Sequence, residues 1–204
     1  MLGAFALYTV AISLIDVQPI GPQGSSVGFA ALNGKAHMLT GVHMRLYAIT
    51  DWLSLIPVVF GLGFALLGLA QWVKRKSILK VDRGILLLGG FYVVTLAAYL
   101  FFESYVINYR PVLIEGKLEA SYPSSTTLLV LCLMPTSMMQ LQSRIRNRFF
   151  RKAVRVAIAL FTVFMVVGRL VSGVHWLTDI VGGILLSAGL VVIYDSLVGG
   201  KNHG

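Results

Sequence analysis

The sequence contains little charge and almost no cysteine. Only 12% of its 204 residues are charged, and its single cysteine, Cys132, lies inside an apolar run. One cysteine excludes an intramolecular disulfide framework and a cysteine-based metal site. Hydrophobic residues make up 57% of the chain, against about 45–50% in a typical soluble domain, and the mean hydropathy is +0.82. These proportions indicate a polytopic membrane protein.

Acidic residues are also scarce, with 8 Asp and Glu against 17 Lys and Arg, which gives a formal net charge of +9. Eleven of the 17 basic residues lie in two stretches, KRKSILKVDR at 74–83 and RIRNRFFRKAVR at 144–155. Each stretch lies between apolar segments, and such short basic loops are a signal of membrane topology. The charge distribution therefore argues against a nucleic-acid partner.

Six apolar segments are long enough for a bilayer core of about 30 Å, which requires roughly 17–25 residues. They are approximately 1–19, 52–73, 84–103, 125–142, 153–171 and 177–198. The sequence thus predicts an all-α integral membrane protein, with six transmembrane helices in a single domain over 1–204. The first segment lacks the basic start of a signal peptide, so we expect it to be retained as a span.

Basic loops stay in the cytoplasm, so both termini are predicted to be cytoplasmic and the connections 20–51, 104–124 and 172–176 to face outward. The first of these is long enough to form a short interfacial helix. A compact chain of this kind favours the plasma (inner) membrane of a bacterium, where membrane lipids surround it.

The two shorter outward connections contain residues suited to binding an anion. Arg110 ends the third span, Ser124, Ser125 and Thr126 open the fourth, and Arg169 ends the fifth. Guanidinium groups match phosphate oxygens, and the free N–H groups at a helix start add partial positive charge. Simpler roles are a lipid-headgroup anchor for an arginine and a helix cap for the hydroxyls.

His175 and Asp179 are four residues apart, so on a helix they share a face. A carboxylate that accepts a hydrogen bond from one imidazole nitrogen fixes the tautomer and leaves the other nitrogen as a nucleophile or base. A metal site is the competing interpretation, but no third ligand has a convincing spacing. We therefore expect neither metal nor other cofactor.

These residues resemble the signatures of the PAP2 (type 2 phosphatidic acid phosphatase) superfamily over almost the whole chain. Its third signature, SRxxxxxHxxxD, is matched by Arg169, His175 and Asp179; the first, KxxxxxxRP, ends at Arg110–Pro111; and PSSTT stands in the place of the second, PSGH. The resemblance implies a PAP2-like helical bundle and a phosphohistidine intermediate at His175. It further implies that Asp179 orients this histidine, that Arg110, Arg169 and residues 124–126 bind the phosphoryl group, and that no metal is needed.

These signatures are not matched in full, and three of the departures bear on the argument. Gly168 replaces a serine, Glu103 replaces the lysine of the first signature, and Thr126 replaces the histidine that acts as the general acid. A threonine hydroxyl donates a hydrogen bond but does not deliver a proton at neutral pH as imidazolium does. Thr126 is therefore a catalytic position without the usual acid, and Glu103 is a candidate modulator of the site.

Two functions are compatible with this pattern. The favoured one is a membrane phosphatase that hydrolyses a lipid diphosphate or phosphate at the outer face, with a polyprenyl diphosphate as the preferred phosphorylated lipid substrate. The alternative is a non-catalytic PAP2-like protein that binds or transports phosphorylated lipids. The departures at Glu103 and Thr126 keep this alternative open.

Overall fold

The computed structural model describes residues 1–199, which form eight α-helices. They are α1 (Leu2–Leu14), α2 (Ala30–Thr40), α3 (Met44–Leu53), α4 (Leu55–Arg75), α5 (Arg83–Ser104), α6 (Ser125–Gln142), α7 (Arg148–Val171) and α8 (Leu177–Gly199). Helix α2 confirms the short helix expected in the connection 20–51. The all-α architecture follows from long apolar runs that can satisfy their backbone hydrogen bonds internally.

Four helical stretches in the described part of the chain are long and apolar enough to cross a membrane: Met44–Arg75, Arg83–Ser104, Arg148–Val171 and Leu177–Gly199. The first combines α3 and α4, which follow each other with only Ser54 between them. These four stretches correspond to the second, third, fifth and sixth predicted segments. The chain is thus an integral membrane protein.

The prediction of six spans is not confirmed, because the helices of the first and fourth segments are not both long and apolar enough to count as candidate spans. Helix α1 has 13 residues, or about 20 Å of rise, which is less than the apolar thickness of a bilayer. Helix α6 is longer, at 18 residues, but it carries Thr136, Ser137 and Gln140, which are buried inside the protein. Protein surrounds α6, so its polar residues do not meet lipid.

Helix α6 occupies the centre of the bundle. It contacts α4, α5, α7 and α8, and α8 in turn contacts α1, α2 and α5. Large apolar side chains on the outside of α4, including Val59, Leu62 and Leu66, remain more than half exposed, as expected for a surface that faces lipid. The packing of α6 against α8 therefore determines where the first residues of these two helices lie relative to each other.

A polar cluster closes the end of the bundle that carries the basic loops. Asp82, just before α5, lies 3.0 Å from Arg75 of α4 and 3.6 Å from Arg144, which follows α6. The side chain of Gln71 donates a hydrogen bond to the Asp82 carboxylate at 2.8 Å. Hydrogen bonds from Gln71 and Arg75 lower the pKa of Asp82. The cluster joins three segments at the end opposite the candidate site.

Candidate active site

The residues singled out from the outward connections meet at one end of the bundle, where α5 and α7 end and α6 and α8 begin. A cleft of about 620 Å³ opens there. Its charged and polar lining consists of Asp51, Ser54, Tyr99, Glu103, Tyr109, Arg110, Glu119, Ser125, Thr126 and Arg169. The topology therefore brings Arg110, Arg169 and the start of α6 together, as the sequence predicted.

The three hydroxyl residues at the start of α6, Ser124, Ser125 and Thr126, have different roles. Ser124 is fully buried and caps the helix, because its Oγ accepts hydrogen bonds from the backbone N and the Oγ1 of Thr127 at 3.5 and 3.0 Å. Ser125 and Thr126 line the cleft. Their amides lie in the first helical turn, where N–H groups have no partner within the helix. The Ser124 side chain thus acts as a cap, and only Ser125 and Thr126 of this helix start are open to the cleft.

Close packing of α6 on α8 places this helix start beside Asp179. A Cβ added at Gly183 of α8 would lie 3.0 Å from the Cγ2 of Thr127 and 3.3 Å from the backbone oxygen of Ser124. The Ser124 amide donates to the backbone oxygen of Asp179 at 3.0 Å. Glycine at 183 allows the two helix starts to approach, as small residues do at helix interfaces in membranes.

The two arginines of the site are buried and each lies near a carboxylate. Arg169 is 1% exposed, and its Nη1 lies 3.6 Å from Asp51 Oδ1; Arg110 is 7% exposed, and its Nε lies 3.2 Å from Glu119 Oε2. The Arg110–Glu119 contact lacks hydrogen-bond geometry, since Arg110 Nε has no hydrogen-bond partner among the described residues. Asp51 and Glu119 are far more exposed than the arginines, so an incoming anion can replace them with little rearrangement of the protein interior.

Several buried polar atoms at this end of the bundle have no hydrogen-bond partner within residues 1–199. They are Nε and Nη1 of Arg110, Nε of Arg169 and Nε2 of His175. Buried polar atoms are nearly always hydrogen-bonded, so a group of orphans at one place indicates a site for a ligand or for water. Three of the four are guanidinium donors, which suit an oxyanion.

His175 lies between α7 and α8, two residues before the start of α8, and it does not bond directly to Asp179. The distance from His175 Nδ1 to Asp179 Oδ2 is 3.8 Å, beyond hydrogen-bond range. The Ser121 hydroxyl lies between them, 3.0 Å from His175 Nδ1 and 2.5 Å from Asp179 Oδ2. The expected direct hydrogen bond between His175 and Asp179 is therefore replaced by two hydrogen bonds through Ser121. The reason is that His175 precedes the helix that carries Asp179, so the two residues do not share a helical face.

The charge state of His175 follows from its surroundings. Burial, together with the positive charges of Arg110 and Arg169, holds the pKa of His175 well below its usual value of about 6.5. The imidazole is thus neutral at neutral pH. Its Nε2 is buried without a hydrogen-bond partner in the described structure, and a neutral imidazole with a free nitrogen can act as a nucleophile or base.

The loop that carries His175 is held by the connection between α2 and α3. A Cβ at Gly173, which has φ of +68°, would lie 1.8 Å from the backbone oxygen of Gly41, so only glycine fits there. His37 lies in α2, and its Nε2 is 3.1 Å from the Gly173 backbone oxygen. The indole N–H of Trp176 donates to the backbone oxygen of Tyr109 at 2.7 Å. These contacts fix the loop on both sides of His175.

The structure gives a physical reason for one departure from the third signature. A Cβ at Gly168 would lie 2.8 Å from the Cγ2 of Thr50, which is closer than real Cβ contacts. The Oγ1 of Thr50 lies 3.4 Å from the Nη1 of Arg169. Glycine at 168 therefore allows α3 to pack against the end of α7 and to contact the Arg169 guanidinium.

Thr126 and Glu103 both line the cleft, so the two other departures lie at the site itself. Thr126 is 5% exposed, whereas Glu103 is exposed and lies in the last turn of α5. Within residues 1–199 no group of three or more His, Cys, Asp or Glu side chains has an arrangement that could hold a metal ion.

Sequence reasoning missed the residues that support the predicted ones. Ser121 is 54 residues from His175, Asn108 is 71 residues from Asp179, and Tyr47 reaches the arginines from α3. No spacing rule connects positions so far apart in the chain. The one available signal was the position of Ser121 in the same polar stretch as the helix start, SYPSSTT.

Comparison with known proteins agrees with these features. The sequence profile of the PAP2 superfamily matches residues 88–201. Comparison with curated protein sequences finds no significant match. The fold is similar to the crystal structure described as the first transmembrane PAP2 type phosphatidylglycerolphosphate phosphatase from Bacillus subtilis, with a TM-score of 0.68 and 14% sequence identity over 99% of this chain and 96% of that chain.

The helical bundle, with its arginine-lined cleft and the buried His175 at the same end, thus defines a membrane protein of the PAP2 type. Because the family profile covers more than half of the sequence, the chain belongs to the PAP2 superfamily. Membership in this superfamily supports a membrane lipid phosphatase.

Proposed function

We propose that this protein hydrolyses a lipid diphosphate or phosphate at the outer membrane face, with His175 as the nucleophile. The observation that supports this most directly is the His175 side chain: Nδ1 is engaged by Ser121, whereas Nε2 is buried without a partner and lies in the field of two arginines. A neutral histidine held beside unpaired guanidinium donors suits attack on phosphorus.

In the proposed reaction, the phosphoryl oxygens displace Glu119 and Asp51 from the arginines and accept hydrogen bonds from the guanidinium groups and the amides of Ser125 and Thr126. His175 Nε2 then forms a bond to phosphorus while the bond from phosphorus to the leaving oxygen breaks, and the electron pair goes to that oxygen. Water attacks the phosphohistidine, the N–P bond breaks, and inorganic phosphate is released. Asp179 stabilises the positive charge that the imidazole carries in the intermediate.

A polyprenyl diphosphate is our preferred substrate, because its leaving group is a phosphate monoester that requires little protonation. Thr126 supplies a hydrogen bond to the site but no readily transferred proton. The Bacillus subtilis protein of similar fold is described as a phosphatidylglycerolphosphate phosphatase, so phosphatidylglycerol phosphate is the natural comparison substrate.

The second candidate function is binding or transport of phosphorylated lipids without turnover. It is favoured by the carboxylates in the cleft. Glu119 lies near Arg110 and Asp51 near Arg169, and Glu103 stands at the position of a signature lysine. Acidic groups weaken the attraction of the cleft for a multiply charged phosphate. A binding protein tolerates this better than an enzyme that must stabilise charge in a transition state.

Phosphate release by the purified protein distinguishes the two functions. The panel contains a polyprenyl diphosphate, phosphatidylglycerol phosphate and phosphatidic acid in detergent micelles, with the His175→Gln variant as the background. We expect release from at least one substrate by the parent protein and none by the variant. Binding of these lipids without release would instead support the non-catalytic function.

A further inference from the structure

We propose that Ser121 is a positioning residue that fixes the tautomer of His175 by carrying its hydrogen bond to Asp179. Among the described residues, Ser121 is the one whose side chain forms hydrogen bonds with both the imidazole and the carboxylate, and it is 2% exposed. The catalytic consequence rests on the proposed function, whereas the tautomer is a property of the resting protein.

The direction of the hydrogen bonds follows from the partners of Asp179. Its Oδ2 accepts from the Trp176 amide at 2.8 Å, and its Oδ1 lies 3.4 Å from the Asn108 side-chain nitrogen. An amide N–H can only donate, so the Asp179 oxygens act as acceptors on both sides. The Ser121 hydroxyl has a single proton, which is therefore directed to Asp179 Oδ2.

A hydroxyl that donates to Asp179 has only acceptor lone pairs left for His175. His175 Nδ1, 3.0 Å away, must then carry the proton and donate it to Ser121 Oγ. A neutral imidazole has one N–H, so Nε2 holds the lone pair. This is the nitrogen that is buried without a partner, and the Ser121 bridge thus leaves the nucleophilic position unprotonated before substrate binds.

The same hydrogen bonds, from His175 to Ser121 and from Ser121 to Asp179, also act after His175 attacks phosphorus. When Nε2 bonds to phosphorus and the leaving oxygen departs with its electron pair, the imidazole becomes positively charged while Nδ1 keeps its proton. The Nδ1–H donates more strongly to Ser121, which in turn donates to the Asp179 carboxylate. When water hydrolyses the N–P bond, the ring returns to the neutral state with the proton still on Nδ1. Ser121 therefore acts through His175 and never contacts phosphorus.

Nitrogen-15 NMR of histidine-labelled protein tests the tautomer without turnover. The chain has 4 histidines, so His175→Gln identifies the resonances of His175. We expect a protonated Nδ1 and an unprotonated Nε2 in the parent protein, a mixture of tautomers in Ser121→Ala, and the parent pattern in Ser121→Thr. Ser187→Ala removes a different buried hydroxyl, one that lies in α8, and serves as the matched control. A proton on Nε2 in the parent protein, or an unchanged pattern in Ser121→Ala, overturns the proposal.

Kinetics provide the second readout. Ser121→Ala should lower kcat by about 10²- to 10⁴-fold and leave KM within a few-fold of the parent value, because the phosphate contacts are intact while the nucleophile is misoriented. Ser121→Thr should recover most of the rate, and Ser187→Ala should keep it. A raised KM with an unchanged kcat would assign Ser121 to substrate binding and contradict its positioning role. A parent protein that releases no phosphate would refute the proposed function, and the NMR result would still decide the role of Ser121 in the resting site.

Discussion

The ring of Tyr47 lies 4.9 Å from the Cζ of Arg169, a distance typical of a cation–π contact. Tyr47 belongs to α3, the helix that the sequence did not predict, and its ring centroid is also 5.9 Å from the Cζ of Arg110. One aromatic ring therefore lies within cation–π distance of both guanidinium groups. Two like charges repel, and the negative face of the ring reduces this repulsion before an anion binds.

Replacing Tyr47 tests whether its ring stabilises the two guanidinium groups. A cation–π contact contributes about 0.5–2 kcal/mol, so we expect Tyr47→Leu to raise KM for the phosphorylated substrate by roughly 2- to 30-fold. Tyr47→Phe keeps the ring and should stay near the parent value. Tyr105→Leu, at an exposed tyrosine after α5, controls for general effects of removing an aromatic residue. Steady-state kinetics of the three variants measure the change, and equal KM values for Tyr47→Leu and the parent contradict the role.

Removing the nucleophile should stop turnover without unfolding the protein. His175→Ala creates no new buried charge, and Asp179 keeps its hydrogen bonds from Ser121 and Trp176. We therefore expect phosphate release to fall to background while the thermal unfolding midpoint changes by only a few degrees. Asp179→Asn should retain more activity, since it alters orientation and charge stabilisation but keeps the attacking nitrogen. Phosphate release and thermal unfolding are measured on the same preparations. Normal activity in the alanine variant would rule out the covalent mechanism.

The lowered pKa of His175 predicts activity that persists into mildly acidic solution. The neutral form is the nucleophile, and it remains populated as the pH falls through 6.5, so the acid limb of kcat/KM should lie below that value. Arg110→Gln removes one of the cations that lower this pKa, and should shift the acid limb upward. The pH profile of kcat/KM for both proteins measures the effect. An acid limb above 6.5 in the parent protein would contradict the neutral resting state.

The same shift affects stability, with a defined sign. Between the lowered pKa of folded His175 and about 6.5 in the unfolded chain, the unfolded state binds more protons. Stability therefore decreases as the pH falls through this window, and His175→Gln should reduce that decrease. Unfolding midpoints measured between pH 7 and pH 5 for the two proteins provide the comparison; identical pH dependence would show that His175 does not contribute.

Two helices were predicted from the sequence to within one residue at each end. The segment 84–103 corresponds to Arg83–Ser104, and 177–198 corresponds to Leu177–Gly199. Helix α7 begins at Arg148, five residues before its predicted start, because the Asn147 side chain caps it and its first turns are basic. An apolar criterion cannot detect such turns. Helix α3 was missed for the same reason, since Arg45 and Asp51 interrupt its apolar pattern.

The arrangement of the candidate site was predictable to the extent that it depends on spacing along the chain. The positions of Arg169, His175 and Asp179 in one sequence stretch indicated an anion site with a nucleophile. The Ser121 bridge was not predictable, because it depends on how the connection after α5 folds over the loop before α8. The pairing of Glu119 with Arg110 depends on the same long-range packing.

The orientation of the chain in the membrane is a prediction that rests on the basic stretches 74–83 and 144–155. A reporter fused after Asn202, which lies outside the described residues, should behave as cytoplasmic, and a cysteine placed at Glu115 should react with an impermeant reagent from outside. Cys132→Ala serves as the background for labelling, since it removes the only native cysteine. A reporter found outside would overturn the topology and put the cleft on the cytoplasmic side.

The leaving group determines how much the absence of an acid at position 126 matters. A phosphate monoester expels an alkoxide, whose conjugate acid is about as weak an acid as water. General acid catalysis is worth roughly 10²–10⁴-fold in such reactions. A diphosphate expels a phosphate monoester, whose second pKa is about 6, so it can leave largely unprotonated. Thr126 should therefore limit the first reaction far more than the second.

We accordingly expect the protein to hydrolyse a polyprenyl diphosphate such as an undecaprenyl carrier faster than phosphatidic acid. Thr126→His should narrow the difference by raising the monoester rate, because an imidazolium at the start of α6 can protonate an alkoxide. Thr126→Asn, which adds a polar side chain of similar reach but no acid, is the matched control and should leave the ratio of the two rates unchanged. The measurement is kcat/KM for both lipids with all three proteins in the same micelles. Equal rates on the two lipids in the parent protein, or a histidine variant with the parent ratio, would show that the proton comes from another group in the cleft, such as Glu103, or from water.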